Sequence, residues 1–519
     1  MRQNTSPPDF LDFFDMKKMF AGPPGMKTKR QLVCLGSLLA ILTLFSASAA
    51  NPPRAATDRP NLIVVLLDDA GYGDFSITGN PTTRTPSLER MSREGLKFAQ
   101  FYCSTAACSA SRYSLLTGRN AHRSGFGTWV LSPADSRYMH PKEITIADGL
   151  RERGYKTAMF GKWHLGTPNP VNGFTTNAFP LAHGFDLYCG LNASADYPDV
   201  KFYQGPSAHP NFATSYEMID SNVRSNAALQ SHFTKTFTDK TISFIQTNRS
   251  NPFFIYLAFT LPHLPLYPNA EFAGHSSRGT YGDIIEELDH SLGRVLDTLV
   301  AEKLAQNTLV VFASDNGPWI HYRTNAEERL NVGDSGPFRD GKGSGWEGGV
   351  RVPGIFWWPG TITAGSTVMQ PASTLDVLPT AFALAGEPLP TDRAIDGRDI
   401  RPLLAPTSFH GTVPEFKFFY TDGGNRVSGV RKGPWKLHTH IYTQVADNYG
   451  FGNVTFSNPL LFQIEQDFGE RFNVRSEHPD LVTDLQNEIT NFNHEASAEG
   501  TFWDPPKSTA NPATTHSGQ

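Results

Sequence analysis

The segment Leu62-Ile-Val-Val-Leu-Leu67-Asp68-Asp69 indicates the fold class of this chain. A continuous apolar run that is rich in β-branched residues is typical of a strand buried on both faces of a parallel sheet. The run stops abruptly at two carboxylates, Asp68 and Asp69. We therefore predict an α/β protein whose first strand carries these two acids at its carboxyl end.

Three later apolar runs end in the same way. The residues that follow them are Gly161-Lys162-Trp163-His164 after Tyr155 to Phe160, Pro262-His263 after Phe253 to Phe259, and Asp315-Asn316-Gly317 after Leu309 to Ala313. Ligands of open α/β sheets bind beyond the carboxyl ends of the strands. A single acid at a strand end is usually only a solvated exit from the sheet. Four polar ends together predict one pocket, with oxygen ligands on one side and cations around it.

Helical patterns alternate with these strands, as expected of a large, mostly parallel sheet that is flanked by helices. Thr85 precedes a predicted helix that ends at Gly95, and Thr145 opens a short helix that ends at Gly154. A longer amphipathic helix places its apolar residues on one side, and these residues are Ile284, Leu288, Leu292, Val295 and Leu299.

A further polar feature is the segment Cys108-Ser-Ala-Ser-Arg112, which precedes Leu115-Leu-Thr-Gly-Arg119. If a helix starts near Cys108 and ends at Gly118, the thiol lies over free backbone N–H groups at the positive end of the helix dipole. Arg112, four residues on, then shares its face, and an anion held there would contact both side chains. On composition alone, a buried Cys and a surface Arg are the commoner interpretation.

The side chains at the strand ends indicate which metal they could bind. Asp68, Asp69, Asp315 and Asn316 offer only hard oxygen ligands. Such ligands suit Ca²⁺ or Mg²⁺ better than Zn²⁺, because zinc sites favour His and Cys. We predict Ca²⁺, one ion per chain.

Several motifs resemble those of the type I, formylglycine-dependent sulfatases, of the arylsulfatase or N-acetylgalactosamine-6-sulfatase kind. The Cys-x-Ala-x-Arg and Leu-Thr-Gly-Arg segments resemble the family signature, although Ala110 stands where Pro is commoner. Further similar motifs, in family order, are Gly161-Lys162-Trp163-His164, the Pro-His-x-Pro turn at His263, the Ser-Asp-Asn-Gly turn at Asp315, and Lys342 upstream of Glu347-Gly-Gly-Val-Arg351. The resemblance covers roughly residues 58 to 500.

The resemblance implies an alkaline-phosphatase-like fold and a sulfuric ester hydrolase that cleaves an aryl or carbohydrate sulfate. A formylglycine-generating or equivalent maturation enzyme would convert Cys108 to formylglycine (3-oxoalanine), whose hydrated aldehyde is the family's nucleophile. The calcium ligands implied are Asp68, Asp69, residue 108, Asp315 and Asn316.

The same resemblance implies roles for the other catalytic residues. Arg112, Lys162 and Lys342 would bind the sulfate oxygens. Asp315 would assist the attack on sulfur, and His263 with Lys342 would protonate the leaving alcohol or phenol. His164 would take the proton from the second hydroxyl, so that sulfate is expelled.

The N-terminal segment predicts export. Residues 1–25 carry no period that would bury a face, but a basic start at Met26, an apolar run from Leu32 to Phe45 and small residues up to Ala50 are typical of a signal peptide over residues 26–50. The run is too short to span a bilayer comfortably, so an uncleaved anchor is the lesser alternative. We expect no stable membrane insertion after cleavage. The mature protein would be periplasmic or secreted, or lysosomal or extracellular in a eukaryote. Translation could start at Met26 instead of Met1.

The pattern changes near residue 400, which divides a catalytic domain over residues 58–405 from an α+β subdomain over residues 406–504. Pro402 to Pro406 is interpreted as an exit linker, and residues 505–519 as a disordered tail. The predicted elements of the subdomain are strands at Phe416 to Tyr420, Asn425 to Arg431, Trp435 to His438 and Leu460 to Ile464, and a helix at Leu481 to Ile489. They indicate a small antiparallel sheet with a helix.

Charge and cysteine content narrow the possible partners. The net charge is −5, with 45 basic and 50 acidic residues well mixed, which argues against a nucleic-acid partner. Cys34 would leave with the signal peptide, and an odd number of remaining cysteines points to one reserved thiol. If that thiol is Cys108, then Cys103 and Cys189 could pair, although their spacing does not show that they do.

Two other functions remain open from the sequence. One is a phosphonate or phosphate ester hydrolase of the same superfamily. The other is a catalytically silent glycan-binding protein in which Cys108 stays a thiol. Loops at about 124–140, 166–215 and 318–340 are predicted to form the pocket rim. Their aromatic residues Trp129, Tyr197 and Trp319 could stack on an aryl or sugar ring, or could merely pack within the protein. The sequence leaves the oligomeric state open.

Overall fold

The structure, a computed structural model, describes residues 59–126, 130–206, 215–320, 330–422, 425–447 and 450–500. The predicted signal peptide, the N-terminal extension and the tail lie outside the described residues. The strands are β1 (Asn61–Leu67), β2 (Leu96–Phe98), β3 (Phe101–Tyr102), β4 (Lys156–Lys162), β5 (Leu187–Leu191), β6 (Phe202–Gly205), β7 (Glu217–Asp220), β8 (Phe253–Ala258), β9 (Thr308–Ser314), β10 (Ile355–Trp357), β11 (Ser366–Val368), β12 (Ala372–Ser373), β13 (Lys417–Thr421), β14 (Val427–Lys432), β15 (Trp435–Asp447) and β16 (Gly450–Gln463).

A ten-stranded mixed sheet in the order β11-β2-β10-β9-β1-β8-β4-β5-β6-β7 forms the centre of the fold. Strands β9, β1, β8, β4 and β5 are mutually parallel, whereas β10, β6 and β7 pair in the antiparallel sense. The four strands that we predicted to end in polar residues are therefore consecutive parallel strands. Their carboxyl ends share one edge of the sheet.

Helices cover both faces of this sheet. They are α1 (Pro86–Glu94), α2 (Cys108–Thr117), α3 (Ile146–Glu152), α4 (Ala227–Gln230), α5 (Phe233–Thr247), α6 (Gly279–Ala301), α7 (Glu347–Val350), α8 (Val377–Ala385), α9 (Arg401–Leu404) and α10 (Pro479–Glu499). Successive residues of β1 point to opposite faces, so that Val64 packs in the core beneath α2, α3 and α8, and Val65 in the core beneath α1, α5 and α6. The apolar run of β1 is continuous because both faces are buried. The predicted α/β class is confirmed.

A separate four-stranded antiparallel sheet, in the order β13-β14-β15-β16, follows as predicted. Helix α10 packs on it through Leu485, Ile489 and Phe492. The hairpin of β15 and β16 is longer than predicted, since β15 continues to Asp447 and β16 begins at Gly450. The exact division at residue 405 stays a prediction.

The segment Pro402 to Pro406, which we interpreted as an exit linker, is partly helical and partly buried. Residues Arg401–Leu404 form helix α9, and Leu404 and Ala405 are buried. Proline is compatible with the first turn of a helix, where its missing N–H is not needed. Pro402 therefore begins a packed turn.

The possible pairing of Cys103 with Cys189 does not occur in the structure. Both thiols are free, as is Cys108. Cys103 lies in the core beneath α2, whereas Cys189 lies in the core on the opposite face of the large sheet. The sheet separates the two sulfur atoms.

The strands that the sequence did not predict are mostly short. β2, β3, β10, β11 and β12 have only two or three residues each, too few to show an alternating pattern. Among the described residues, the structure contains no helix with the length and apolar character needed to cross a membrane.

Candidate active site

The carboxyl ends of β1 and β9 bring four oxygen-bearing side chains into contact. Asp68 and Asp69 follow β1, and Asp315 and Asn316 follow β9, its direct neighbour. The backbone N–H of Asp69 donates to Oδ1 of Asp315 at 3.1 Å, and Nδ2 of Asn316 donates to Oδ1 of Asp69 at 2.7 Å. Asp69 has φ of 66°, a left-handed conformation that Asp tolerates better than most residues.

Helix α2 places Cys108 against these acids. Cys108 is the first residue of the helix, and Gly118 ends it with φ of 67°, both as predicted. Its Sγ lies 3.5 Å from Oδ1 of Asp68 and 3.8 Å from Oδ1 of Asp69. Burial raises the pKa of the Cys108 thiol well above its ordinary value, although Lys162 and Lys342 oppose this shift. The side chain is therefore protonated in this environment.

Together these residues form a buried cluster that could hold a metal ion. One ligand atom from each of Asp68, Asp69, Cys108 and Asp315 lies within 4.8 Å of all the others, and all four residues are buried. Oδ1 of Asn316 is also buried and has no hydrogen-bond partner within the described part of the chain. The cluster thus combines crowded carboxylates with an oxygen whose lone pairs are unused.

Each of the three carboxylates is paired with a cation from another element. Nζ of Lys162 lies 2.6 Å from Oδ2 of Asp68, and Nζ of Lys342 lies 2.7 Å from Oδ1 of Asp69. Burial alone would raise the pKa of Asp68, but Lys162, His263 and Arg112 lower it to about 2. The carboxylate is therefore ionised at neutral pH.

Arg112 supplies the third cation, but it faces the carboxylates. Its Nε and Nη2 donate to Oδ2 of Asp315 at 3.0 and 2.7 Å, and Nη2 lies 3.3 Å from Oδ1 of Asp68. Its Nη1 donates to the carbonyl oxygen of Lys162 at 3.1 Å, and the side chain is fully buried. These contacts fix the orientation of the Asp315 and Asp68 side chains.

Two histidines complete the predicted set, in different settings. Nδ1 of His263 donates to the carbonyl oxygen of Leu264 at 2.7 Å, which leaves Nε2 toward the cluster, 3.7 Å from Oδ2 of Asp69. Nε2 of His164 donates to the carbonyl oxygen of Leu131 at 2.9 Å, and its buried Nδ1 has no hydrogen-bond partner among the residues described.

The electrostatic setting of His164 keeps it neutral. Burial lowers its pKa well below the ordinary value, and Lys162, Arg112, His263 and Lys342 lower it further. Because Nε2 carries the proton, the free Nδ1 is a proton acceptor. Tyr197 packs against this imidazole edge to face, with the ring centroids 6.0 Å apart.

A small cleft lies beside Asp69 and His263. Its lining residues are Asp69, Pro262, His263, Leu264, Tyr281, Trp319, Asn331, Val332 and Gly333. Trp319 was predicted at the rim, whereas Trp129 lies outside the described residues. The sequence analysis missed Tyr281, which stands at the start of α6, because nothing in an amphipathic helix pattern identifies the one turn that faces a site.

Comparisons with known proteins agree with this geometry. The family model of the sulfatases matches residues 60–387. N-acetylgalactosamine-6-sulfatase of Mus musculus is 35% identical over 87% of this chain and 88% of that protein. Steryl-sulfatase of Homo sapiens is 32% identical over 80% of this chain and 84% of that protein.

Solved structures show the same fold. The crystal structure of the PsFucS1 sulfatase from Pseudoalteromonas sp. has a TM-score of 0.73 and 26% identity, covering 86% of this chain and 92% of that one. A phosphonate monoester hydrolase of Agrobacterium radiobacter has a TM-score of 0.56 and 16% identity, covering 84% and 96% of the two chains, which shows a shared fold alone.

Proposed function

The chain belongs to the sulfatase family and is a sulfatase, and from this premise we propose that it hydrolyses sulfate monoesters with a formylglycine made from Cys108 and one Ca²⁺. The observation that carries the proposal is the buried cluster of Asp68, Asp69, Asp315 and Cys108, whose ligand atoms lie within 4.8 Å of one another. Crowded like charges of this kind favour a bound cation.

The ligand chemistry fits calcium. Asp68, Asp69, Asp315 and Asn316 would hold the ion with oxygen atoms, of which Oδ1 of Asn316 already lacks a hydrogen-bond partner in the described chain. Oxygen-only sites suit Ca²⁺. When bound, the ion would supply Lewis-acid stabilisation of negative charge on the sulfate oxygens.

Residue 108 is the proposed nucleophile, since it is buried in the cluster at the start of α2. A thiol whose pKa is raised by burial is a poor nucleophile. Oxidation to formylglycine would instead supply a hydrated aldehyde at this position. The residues of the chain around it then have distinct tasks.

Two lysines bind the anion in this proposal. Lys162 contacts Asp68, and Lys342 contacts Asp69. Burial would lower the pKa of Lys342, but Asp69 and other acids raise it well above the ordinary value, so the side chain is a cation. Arg112, by its contacts with Asp315 and Asp68, orients carboxylates and acts on sulfate only through them.

Two histidines move protons. Nε2 of His263 lies on the cleft side of the cluster. When both ring nitrogens are protonated, it can pass the Nε2 proton to a leaving alcohol or phenol. The free Nδ1 of His164 is the proposed acceptor of the proton that residue 108 releases.

The cleft suggests the class of leaving group. Trp319 and Val332 offer apolar surface, and Asn331 offers a polar side chain. This mixture suits an aryl ring or one face of a sugar. We propose that the substrate is a sulfated glycan or a small sulfated molecule, in line with the relatives' names. The enzyme would be exported, as the predicted signal peptide implies, and would depend on a maturation enzyme for residue 108.

Kinetics on matched nitrophenyl esters test the proposal. The three carboxylates and three cations of the cluster cancel, so a bound dication leaves a modest positive charge that suits a monoanionic sulfate ester. A phosphate monoester carries about −1.5 to −2 charge. We expect kcat/KM for the sulfate to exceed that for the phosphate by orders of magnitude, with formylglycine at residue 108 found by peptide mass spectrometry. Equal or reversed values would place the chain among the phosphoesterases, and full activity with an intact thiol would contradict the nucleophile.

A further inference from the structure

Lys342 lies on a loop that is fixed to the active site on one side. Its ammonium contacts Asp69, and its backbone N–H donates to the carbonyl oxygen of Pro318 at 2.8 Å. The next residue, Gly343, donates to the carbonyl oxygen of Ala106 at 2.7 Å. Pro318 lies just beyond the polar end of β9, and Ala106 just before α2. The two segments that carry the cluster therefore also hold this loop.

The far end of the same loop is fixed to the C-terminal part of the chain. The backbone N–H of Glu347, the first residue of α7, donates to Oε2 of Glu470 at 2.6 Å. Nζ of Lys436, on β15, lies 2.9 Å from Oε1 of Glu347 and 2.9 Å from Oε1 of Glu470. Nε2 of His438 lies 2.9 Å from the same Glu470 oxygen. All four side chains are buried.

Glu347 is charged and held from several directions. Its Oε2 accepts from the hydroxyl of Tyr102 at 2.6 Å and lies 3.3 Å from Nη1 of Arg351. Burial would raise the pKa of Glu347, but Lys436, Arg351 and Arg431 lower it to about 2. Buried ion pairs often add little net stability compared with apolar packing, whereas they impose a specific geometry.

The loop between Lys342 and Glu347 has little freedom. Trp346 is buried and packs edge to face on His438, with the ring centroids 4.8 Å apart. A Cβ at Gly349 would come within 2.1 Å of the carbonyl oxygen of Ser344, which lies in this loop. The backbone between Glu347 and Lys342 is therefore closely packed along its length.

We propose that Glu470 and Lys436 are positioning residues for the sulfatase reaction, which act through Glu347 to set the place of the Lys342 ammonium beside Asp69. The C-terminal sheet thereby contributes to the active site without contacting substrate. This inference rests on the proposed role of Lys342 in binding the sulfate group.

A double-mutant cycle in the full-length, mature enzyme tests the proposal. Its members are wild type, Glu470→Gln, Lys342→Ala and the double variant, each assayed for kcat and KM on nitrophenyl sulfate, with folded fraction and residue 108 maturation measured. We expect Glu470→Gln to lower kcat/KM about tenfold in the wild-type background, and less than about twofold in the Lys342→Ala background, because coupled residues are not additive.

A matched control separates positioning from stability. Asp289 is a buried carboxylate that accepts from the backbone N–H of Ser87 at 2.9 Å and of Leu88 at 2.8 Å, at the start of α1. Asp289→Asn should lower Tm about as much as Glu470→Gln does. It should leave kcat/KM per folded molecule unchanged. If Glu470→Gln folds poorly, a variant that carries both Lys436→Met and Glu470→Gln replaces it in the cycle. This variant removes one buried charge of each sign.

The outcomes are distinguishable. Additive effects in the cycle, or an unchanged kcat/KM in folded Glu470→Gln, would overturn the positioning role. A Lys342→Ala variant with wild-type kinetics would overturn the proposed role of Lys342 itself.

Discussion

Nζ of Lys162 lies 2.6 Å from Oδ2 of Asp68, although the strands that precede them, β4 and β1, are not neighbours. Strand β8 lies between them and ends at Ala258. The lysine therefore reaches across the end of an intervening strand to pair with an acid in the cluster. The predicted site residues that end or follow a strand all lie at this edge of the sheet, and they are Asp68, Asp69, Lys162, His164, His263, Asp315 and Asn316.

Replacement of Cys108 should abolish turnover. Cys108→Ala removes the atom from which formylglycine is made but leaves a small side chain at the start of a buried helix, so we expect activity to fall by at least about 10³-fold, the order of magnitude seen when a covalent nucleophile is removed. Circular dichroism and Tm should stay close to wild type. A Cys108→Ala enzyme with substantial turnover would exclude the covalent mechanism.

Removal of the metal should lower both activity and stability. An ion that binds the folded state and not the unfolded chain stabilises the folded state, so treatment with a chelator should lower Tm, and added Ca²⁺ should restore it. Asp69→Asn should reduce metal content measured by elemental analysis.

A matched control for the metal is Asp283→Asn. Asp283 is buried and accepts from the backbone N–H groups of Gly274, His275 and Ser276, and its variant should keep full metal content. Stoichiometric Zn²⁺ in the native protein, with no Ca²⁺ or Mg²⁺, would contradict the ligand argument.

Trp319 should affect substrate binding more than the chemical step. It lines the cleft beside His263, and its ring lies 5.8 Å from Nζ of Lys342. Loss of a stacking partner costs about 0.5–1.5 kcal/mol, so Trp319→Ala should raise KM for aryl sulfates roughly 2- to 12-fold with little change in kcat. Trp319→Phe should retain most of the affinity. A large fall in kcat for Trp319→Ala with KM unchanged would show that the ring does not bind the leaving group.

Glu287 should make the stability of the protein depend on pH. This carboxyl on α6 is buried and accepts from the backbone N–H of Asn269 at 2.8 Å, and burial raises its pKa from 4.5 to about 7. The folded state therefore keeps the proton longer than the unfolded state. The contribution of Glu287 to the free energy of unfolding is fully present below about pH 4.5. It is lost as the pH rises through about 7, and the total loss is roughly 3 kcal/mol.

Chemical denaturation at pH 5 and pH 8 measures this effect. Glu287→Gln should remove most of the difference in the free energy of unfolding, whereas Glu286→Gln, which breaks only a pair with the exposed Arg84, should preserve it. An unchanged pH dependence in Glu287→Gln would show that other groups cause it.

Local sequence determined the framework of the site. The apolar runs of β1, β4, β8 and β9, each followed by polar residues, were sufficient to predict a buried sheet with one functional edge. This was possible because the burial of a strand and the position of its end depend on residues that are contiguous in the sequence. The start of α2 at Cys108 and its end at Gly118 could be predicted for the same reason. The roles assigned to individual site residues stay predictions.

Only the tertiary structure decided which charges meet. Arg112 pairs with Asp315 across 203 positions of the chain. Glu347 contacts Lys436 on β15 and Glu470 in the segment that follows β16. No local pattern encodes these contacts, because each depends on where the chain returns after folding. The sequence thus determined which chemical groups are available at the strand ends. The packing of distant segments decided that Arg112 faces the carboxylates and that the C-terminal sheet holds the loop of Lys342.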